Sequence, residues 1–351
     1  MKQVPKPPPS ASQDAAAGWT RRLVTYRTPI LTRSCFELAV TAWPFAALFA
    51  LSWAALSLSP WLSVLLSLAN AAFVVRLFMI QHDCGHGSFF PSRKWNDRVG
   101  RIIGVLTLTP YAVWRRTHAI HHATTGNLDR RGTGDIPTLT VAEYRAKPPL
   151  QRGLYRLLRN PAILFGMIPF YIFFLQNRLP VGLMRSGWRP WVSALGTNAA
   201  IAAMLTSLYL LGGVSVLLFV YLPMMLLAAS AGMWLFYVQH QFEETSWNRN
   251  AEWSVQDAAF HGSSHYDLPP VLRWITANIG VHHIHHLASR IPFYRLPEVL
   301  RDHKSAADAA RVTFRESLRC ARLALWDERN RRLVSFAAAR RLAPQSGLQQ
   351  T

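Results

Sequence analysis

Four long apolar runs constrain this chain more than any other feature. Leu38–Leu58 has no charged residue, Trp61–Ile80 has only Arg76 near its end, and Pro190–Leu211 and Val214–Val238 have none. At a helical rise of about 1.5 Å per residue, roughly 20 residues cross a hydrocarbon layer about 30 Å thick. Each run meets that length, whereas a hairpin buried in a soluble protein has no need of so long a charge-free stretch. The runs pair into two tight hairpins, joined at Ser59-Pro60 and at Gly212-Gly213. The basic residues gather at the opposite ends: Arg21, Arg22, Arg27 and Arg33 before the first run, Arg93, Lys94, Arg98 and Arg101 after the second, and Arg185 and Arg189 before the third. Positive charge marks the cytoplasmic side, so both termini and the long polar segments are expected there. Two shorter apolar stretches, Ile102–Val113 and Pro161–Leu175, read as helices lying at the interface or packed under the cytoplasmic domain.

The expected fold is therefore an all-α membrane protein: four transmembrane helices in two hairpins, under a cytoplasmic helical cap. The expected domains are a disordered basic tail over 1–35, a membrane domain over 36–335 and a C-terminal tail over 336–351. No short apolar core follows the basic start, so no cleaved signal peptide is expected. The balance of 38 basic against 18 acidic residues gives a formal charge of +20. Beside membrane spans, that excess points to an anionic membrane surface and to an acidic protein partner rather than to nucleic acid. Cys35, Cys84 and Cys320 lie far apart. They offer neither a disulfide scaffold nor the thiolate set of an iron–sulfur cluster.

The histidines carry the chemistry. His82 and His86 form HxxxH, while His118, His121 and His122 form one HxxHH and His282, His285 and His286 a second. On a helix, positions i, i+3 and i+4 share a face, so each cluster points several imidazoles one way. Adjacent residues such as His121 and His122 differ by about 100° around the axis and can reach two different ions. Eight imidazoles exceed the four ligands of one tetrahedral zinc and suit two metals of the kind imidazole favours, among them iron, zinc, copper and nickel. The first cluster follows the second run directly. The fourth run ends in Phe-Tyr-Val-Gln-His-Gln, which places His240 at the matching exit as a ninth ligand candidate. His261 and His265, four apart in a Gly/Ser stretch, are left open, and His283 and His303 are read as bystanders. Neutral imidazoles call for nearby carboxylates to orient them through the second N–H; Asp83, Asp129, Asp135, Glu243 and Asp267 are the candidates.

HDCGH, then HAIHH, then HHIHH after a second hairpin resembles the integral-membrane fatty acid desaturases. The run Thr-Gly-Asn-Leu-Asp-Arg-Arg-Gly-Thr-Gly-Asp, with the later Phe-Tyr-Val-Gln-His-Gln-Phe-Glu and Gly-Ser-Ser-His-Tyr-Asp-Leu-Pro, is similar to the bacterial acyl-lipid desaturases in particular. The likeness covers roughly residues 35–335, and the three-box signature is shared with membrane hydroxylases and carotenoid ketolases. The resemblance implies two iron ions held by His82, His86, His118, His121, His122, His240, His282, His285 and His286. It also implies molecular oxygen as co-substrate, an acyl lipid as substrate and electrons from an external, ferredoxin-like carrier. Animal acyl-CoA desaturases carry Asn where this chain has Phe236. An aromatic-lined acyl tunnel is expected, with Trp114, Phe236 and Tyr237 as candidate walls. A non-enzymatic metal transporter would need His, Asp or Glu inside the runs. They offer only Asn70, Arg76 and Asn198.

Overall fold

A computed structural model of the chain describes residues 18–19, 21–307 and 310–342. Among these residues, three stretches are long and apolar enough to cross a membrane: Leu31–Ser57, Pro60–His86 and Trp188–His240. Helix α1 spans Leu31–Ala54 and helix α2 spans Pro60–His86. Between them Ser59 is extended and Pro60 opens α2 at its first turn, where a missing N–H costs nothing. Gly87 closes α2 in the left-handed conformation (φ 69°), which glycine adopts without a Cβ penalty. Beyond a helix over Arg93–Leu106, helix α3 covers Tyr111–Thr124. The apolar stretch 102–113 is thus divided between two helices, with Leu108 at φ 55° in the turn.

The 53-residue stretch Trp188–His240 is not one straight rod. Helix α4, Trp188–Ser215, is broken at Gly213, whose φ of 68° and ψ of −171° are non-helical. A π-helical turn, Val216–Tyr221, then leads into helix α5, Leu222–His240. Ile201 before the break and Tyr221 after it share one apolar cluster, so the two arms fold back on each other. The second of the shorter apolar stretches lies in a bent pair: Pro149–Leu158 and Ile163–Arg178 meet at 60°.

Burial separates the long helices by role. In its most apolar window α2 is 56% buried and the stretch Leu31–Ser57 only 17%. Helix α2 lies in both large cores. Its Leu77 and Ile80 join Ile279, Ile284 and Phe293, and its Val74 and Val75 join Met224, Met225 and Tyr237. The charge inside α2 is paired: Arg76 reaches Glu37 of α1, which also binds Arg33 at 2.7 Å, and its guanidinium stacks 4.1 Å from the Trp274 ring. An intramembrane arginine is tolerated only with such partners.

The cap departs from the all-α expectation. The described residues are mostly helical, but among them five short strands form two small sheets. Strands β1 (Leu139–Thr140), β4 (Leu323–Asp327) and β5 (Arg332–Ser335) align in the order β1-β4-β5, and β2 (His265–Asp267) pairs in parallel with β3 (Arg311–Thr313). Strands of two to five residues are too short to show a period of two in sequence. The β4–β5 hairpin is set by Asp327, whose carboxylate accepts from the backbone N–H of Arg329 and Asn330. Of the expected tail 1–35, residues 1–17 and 20 lie outside the described residues. Within the rest, Leu23 is fully buried and Tyr26 donates to Asp302 at 2.7 Å. At the other end, Phe336–Arg341 is helical with Ala339 buried in the sheet core, and 343–351 lie outside the described residues.

Candidate metal centre

Four elements deliver nine imidazoles to one place. The last turns of α2 supply His82 and His86, α3 supplies His118, His121 and His122, the end of α5 supplies His240, and helix α6, His282–Leu287, supplies His282, His285 and His286. They sort into two sets. His82, His86, His118, His122 and His285 form one, and His121, His240, His282 and His286 the other. Within each set the ligand atoms lie within 4.8 Å of one another. Helix geometry permits the sorting. His118 and His122, four apart, lie about 40° from each other around the axis and share a set, whereas His121, about 60° from the first and 100° from the second, joins the other. In α6, His282 and His286 go together and His285 goes opposite.

The Nε2 atoms face each other at short range. His118 lies 3.0 Å from His82 and 3.1 Å from both His86 and His122, and His285 lies 3.2 Å from His122. In the second set His240 lies 3.1 Å from His121 and 3.0 Å from His282, and His282 lies 3.1 Å from His286. Metal–imidazole bonds of about 2.1 Å at right angles put neighbouring donor nitrogens about 3.0 Å apart, which matches these separations.

Proton positions reinforce the fit. Asp83 Oδ1 accepts from His82 Nδ1 at 3.2 Å, Asp135 Oδ1 from His121 Nδ1 at 2.7 Å, and the Gly262 carbonyl from His240 Nδ1 at 3.2 Å. A ring that donates through Nδ1 presents a lone pair at Nε2 when neutral. His121 and His240 therefore turn Nε2 toward Nε2 at 3.1 Å, with each Nδ1 already engaged, so both ring nitrogens face a point where one ion could bind them. Burial, with neighbouring histidines adding to it, pushes His118, His122, His282, His285 and His286 well below the usual imidazole pKa. They stay neutral, as metal ligation requires. The donor set fits two ions of the imidazole-favouring class.

The other candidates divide cleanly. Asp83 and Asp135 touch the histidines; Asp83 also accepts the Phe293 N–H at 2.7 Å, tying α2 to the cap. Asp129 instead pairs with Arg249, Asp267 with Arg273 and Arg311, and Glu243 with Arg332. His261 is exposed and binds Asp257 at 2.9 Å, and His265 is a buried residue of β2; neither is in either set. His283 donates from Nε2 to the Ala306 carbonyl at 2.8 Å, and His303 packs against Trp19. Trp114 stacks on His118 with centroids 4.6 Å apart, and Phe236 lies 5.2 Å from His121 and 5.4 Å from His240. Tyr237 points elsewhere, donating to the Leu323 carbonyl at 2.5 Å. The Gly262 carbonyl and the Phe293 amide left no sequence signal, because every residue type carries those backbone groups.

The fatty acid desaturase family pattern matches residues 59–318. A fatty acid desaturase of Bacillus subtilis is 41% identical over 323 residues, covering 92% of this chain and 91% of its own length. The sn-1 oleoyl-lipid 12-desaturase of Synechocystis is 27% identical over 282 residues, 76% of this chain and 77% of that one. The sn-1 acyl-lipid omega-3 desaturase (ferredoxin) of the same organism is 29% identical over 241 residues, 63% of this chain and 61% of that one. With the pattern matched over well over half its length and one relative aligned almost end to end, this chain belongs to the fatty acid desaturase family and is an enzyme of that kind.

Proposed function

We propose that the chain introduces a double bond into acyl chains of membrane lipids, using two iron ions held by His82, His86, His118, His122 and His285 on one side and His121, His240, His282 and His286 on the other. The observation that carries this is the double convergence of Nε2 atoms at coordination spacing. When bound, the iron pair supplies the means for molecular oxygen to remove two hydrogens from neighbouring methylenes, with electrons from an external carrier. The chain's own residues do the rest. Asp83, Asp135 and the Gly262 carbonyl fix the ring orientations. Trp114 and Phe236 wall the centre with apolar surface, and the buried site excludes water from the reacting carbon. The positive charge of the chain favours an acidic, ferredoxin-like carrier, in keeping with the ferredoxin named for the Synechocystis relative.

In this reading the protein sits in a bacterial inner membrane. At about 1.5 Å per residue, the 53 residues of Trp188–His240 would reach about 80 Å as one helix. The break at Gly213 therefore makes two crossings, and with α1 and α2 there are four. Ser59 and Gly212 face the non-cytoplasmic side, and the histidines and both termini face the cytoplasm.

Expression in a bacterium lacking desaturases, followed by mass spectrometry of its lipids, tests the reaction. The expected product has two hydrogens fewer than its precursor, and a product that gains one oxygen instead would make this a hydroxylase. Elemental analysis of the same active protein is expected to give two irons per chain; one zinc and no iron dependence would refute the di-iron assignment. Impermeant labelling of Ser59→Cys but not Ser88→Cys in intact cells is expected, and the opposite pattern would invert the topology.

A further inference from the structure

Below the cap, an apolar groove of about 380 Å³ opens between α2 and α5. Ala69 and Ala72 of α2 and Leu227 and Ala231 of α5 line it, the three alanines leaving space between the helices. Leu272 and Phe314 of the cap form its upper rim. Along α5 the lining runs on to Trp234 and Leu235, the residues just before Phe236, whose ring touches the four-histidine set.

The rim is not built like an ordinary water-facing surface. Val271 is 69% exposed and Leu318 56%, and Leu272 and Phe314 are exposed beside them. In the helix Phe314–Cys320 three faces separate. Ser317 and Cys320 are buried, Phe314 and Leu318 form an exposed apolar stripe, and Arg315 and Arg319 form an exposed basic stripe next to it. Apolar and basic stripes side by side are the pattern of a helix lying at the boundary of headgroups and acyl chains. The nearby acids are already engaged. Glu316 accepts from the Thr313 backbone and hydroxyl at 2.8 Å, and Asp267 binds Arg311 and Arg273. Arg315 and Arg319 form no salt bridge among the described residues, and each is free to meet an anion.

We propose that this rim is a lateral mouth for a bilayer glycerophospholipid: one acyl chain lies in the groove between α2 and α5, and Arg315 and Arg319 hold the phosphate. The assignment rests on the desaturase reading above and names the carrier of the acyl chain. The occupant comes from the bilayer rather than from solution because the groove runs down the flanks of two membrane helices. Its lining is almost wholly apolar and holds no charged residue, while Arg315 and Arg319 lie on the same short helix as Phe314, which lines it.

The test uses the full chain in phosphatidylcholine vesicles doped with one of two photoreactive probes. Both carry a diazirine in the acyl chain; one is a phosphatidylglycerol and the other a diacylglycerol with no phosphate. The phosphatidylglycerol probe is expected to label residues 68–75 and 227–235. A basic residue near an anionic lipid surface is worth about 1 kcal/mol. Replacing both arginines (Arg315→Gln with Arg319→Gln) should therefore cut that labelling about thirtyfold while leaving diacylglycerol labelling unchanged. Arg329→Gln, a change in an exposed turn, should alter neither, and Ala72→Phe should block both. Equal labelling by the two probes in the unmodified protein, an arginine pair without effect, or labelling confined to other segments would each overturn the assignment. Lipid products are measured in the same vesicles, supplied with ferrous iron, oxygen and a reduced ferredoxin as electron carrier. Groove labelling without any double bond formed would count against the desaturase reading and leave the lipid mouth standing. Normal desaturation with labelling elsewhere would do the reverse.

Discussion

His82, His86, His118, His122 and His285 bring five imidazoles together, with His86, His118 and His122 partly open to solvent; His121, His240, His282 and His286 bring four, all buried. The two sets also differ in their support. Asp135 grips His121 at 2.7 Å, whereas the Asp83–His82 contact is longer, at 3.2 Å. Against the four-histidine set, where a fifth donor is lacking, lies the ring of Phe236. In the proposed reading, an ion in the five-histidine set would be held by five imidazoles and an ion in the other by four, so the first would anchor and the second would leave more room for chemistry.

The strongest way to break that distinction is to remove one ligand from each set. His240→Ala is expected to abolish desaturation, with a loss of more than about a hundredfold, beyond the 10–100-fold typical of outer partners. Metal content should fall to about half. His86→Ala leaves four donors in its set and is expected to retain both ions, with a smaller loss of activity. His303→Ala, outside both sets, should keep metal and activity. Metal analysis and product assays at matched expression decide the matter. Equal loss of metal in His86→Ala and His240→Ala would erase the difference between the sets.

Much of this was legible in the chain. The i, i+3, i+4 spacing of the boxes, together with the 100° step between adjacent residues, already implied that each HxxHH divides between two ions, and His121 against His118 and His122 shows that division. His240 stood out because it ends a long apolar run just as His82 does. The carboxylates were harder. Five acids lie near the boxes in sequence, yet Asp129, Glu243 and Asp267 are taken by arginines that come close only after folding, such as Arg249 and Arg311. The small sheets were hidden for a different reason: β1 meets β4 across some 180 residues of chain (Leu139↔Leu325), a pairing that no local pattern encodes.

The carboxylates allow a finer comparison. Asp135→Asn keeps the shape but can no longer hold His121 Nδ1–H with a full charge. A loss of about 10–100-fold in metal affinity or activity is expected, the usual cost of removing an outer partner. Asp83→Asn should cost less on the metal side, because that carboxylate is shared between His82 and the Phe293 amide. Chelator competition on the two purified variants reads the difference directly. If Asp83→Asn releases metal more readily than Asp135→Asn, the shorter contact does not mark the more dependent set.

The smallest expected effect concerns Phe236. It lies one helical turn before His240 on α5, so positions 236 and 240 share a face, and its ring contacts both His121 and His240. Phe236→Asn replaces that ring with a smaller amide that leaves room for a water and can hydrogen-bond it. The substitution thus adds one water-borne donor to the four-histidine set and makes the two sets more alike. A hydrogen bond contributes about 0.5–1.5 kcal/mol, so metal retention against a chelator is expected to rise about threefold. Desaturation is expected to fall by a similar factor, because the position left free for chemistry becomes partly filled. Both shifts must appear together. If activity falls while metal is held no more tightly, Phe236 acts by packing alone, and the vacancy in the four-histidine set is not what distinguishes it from its neighbour.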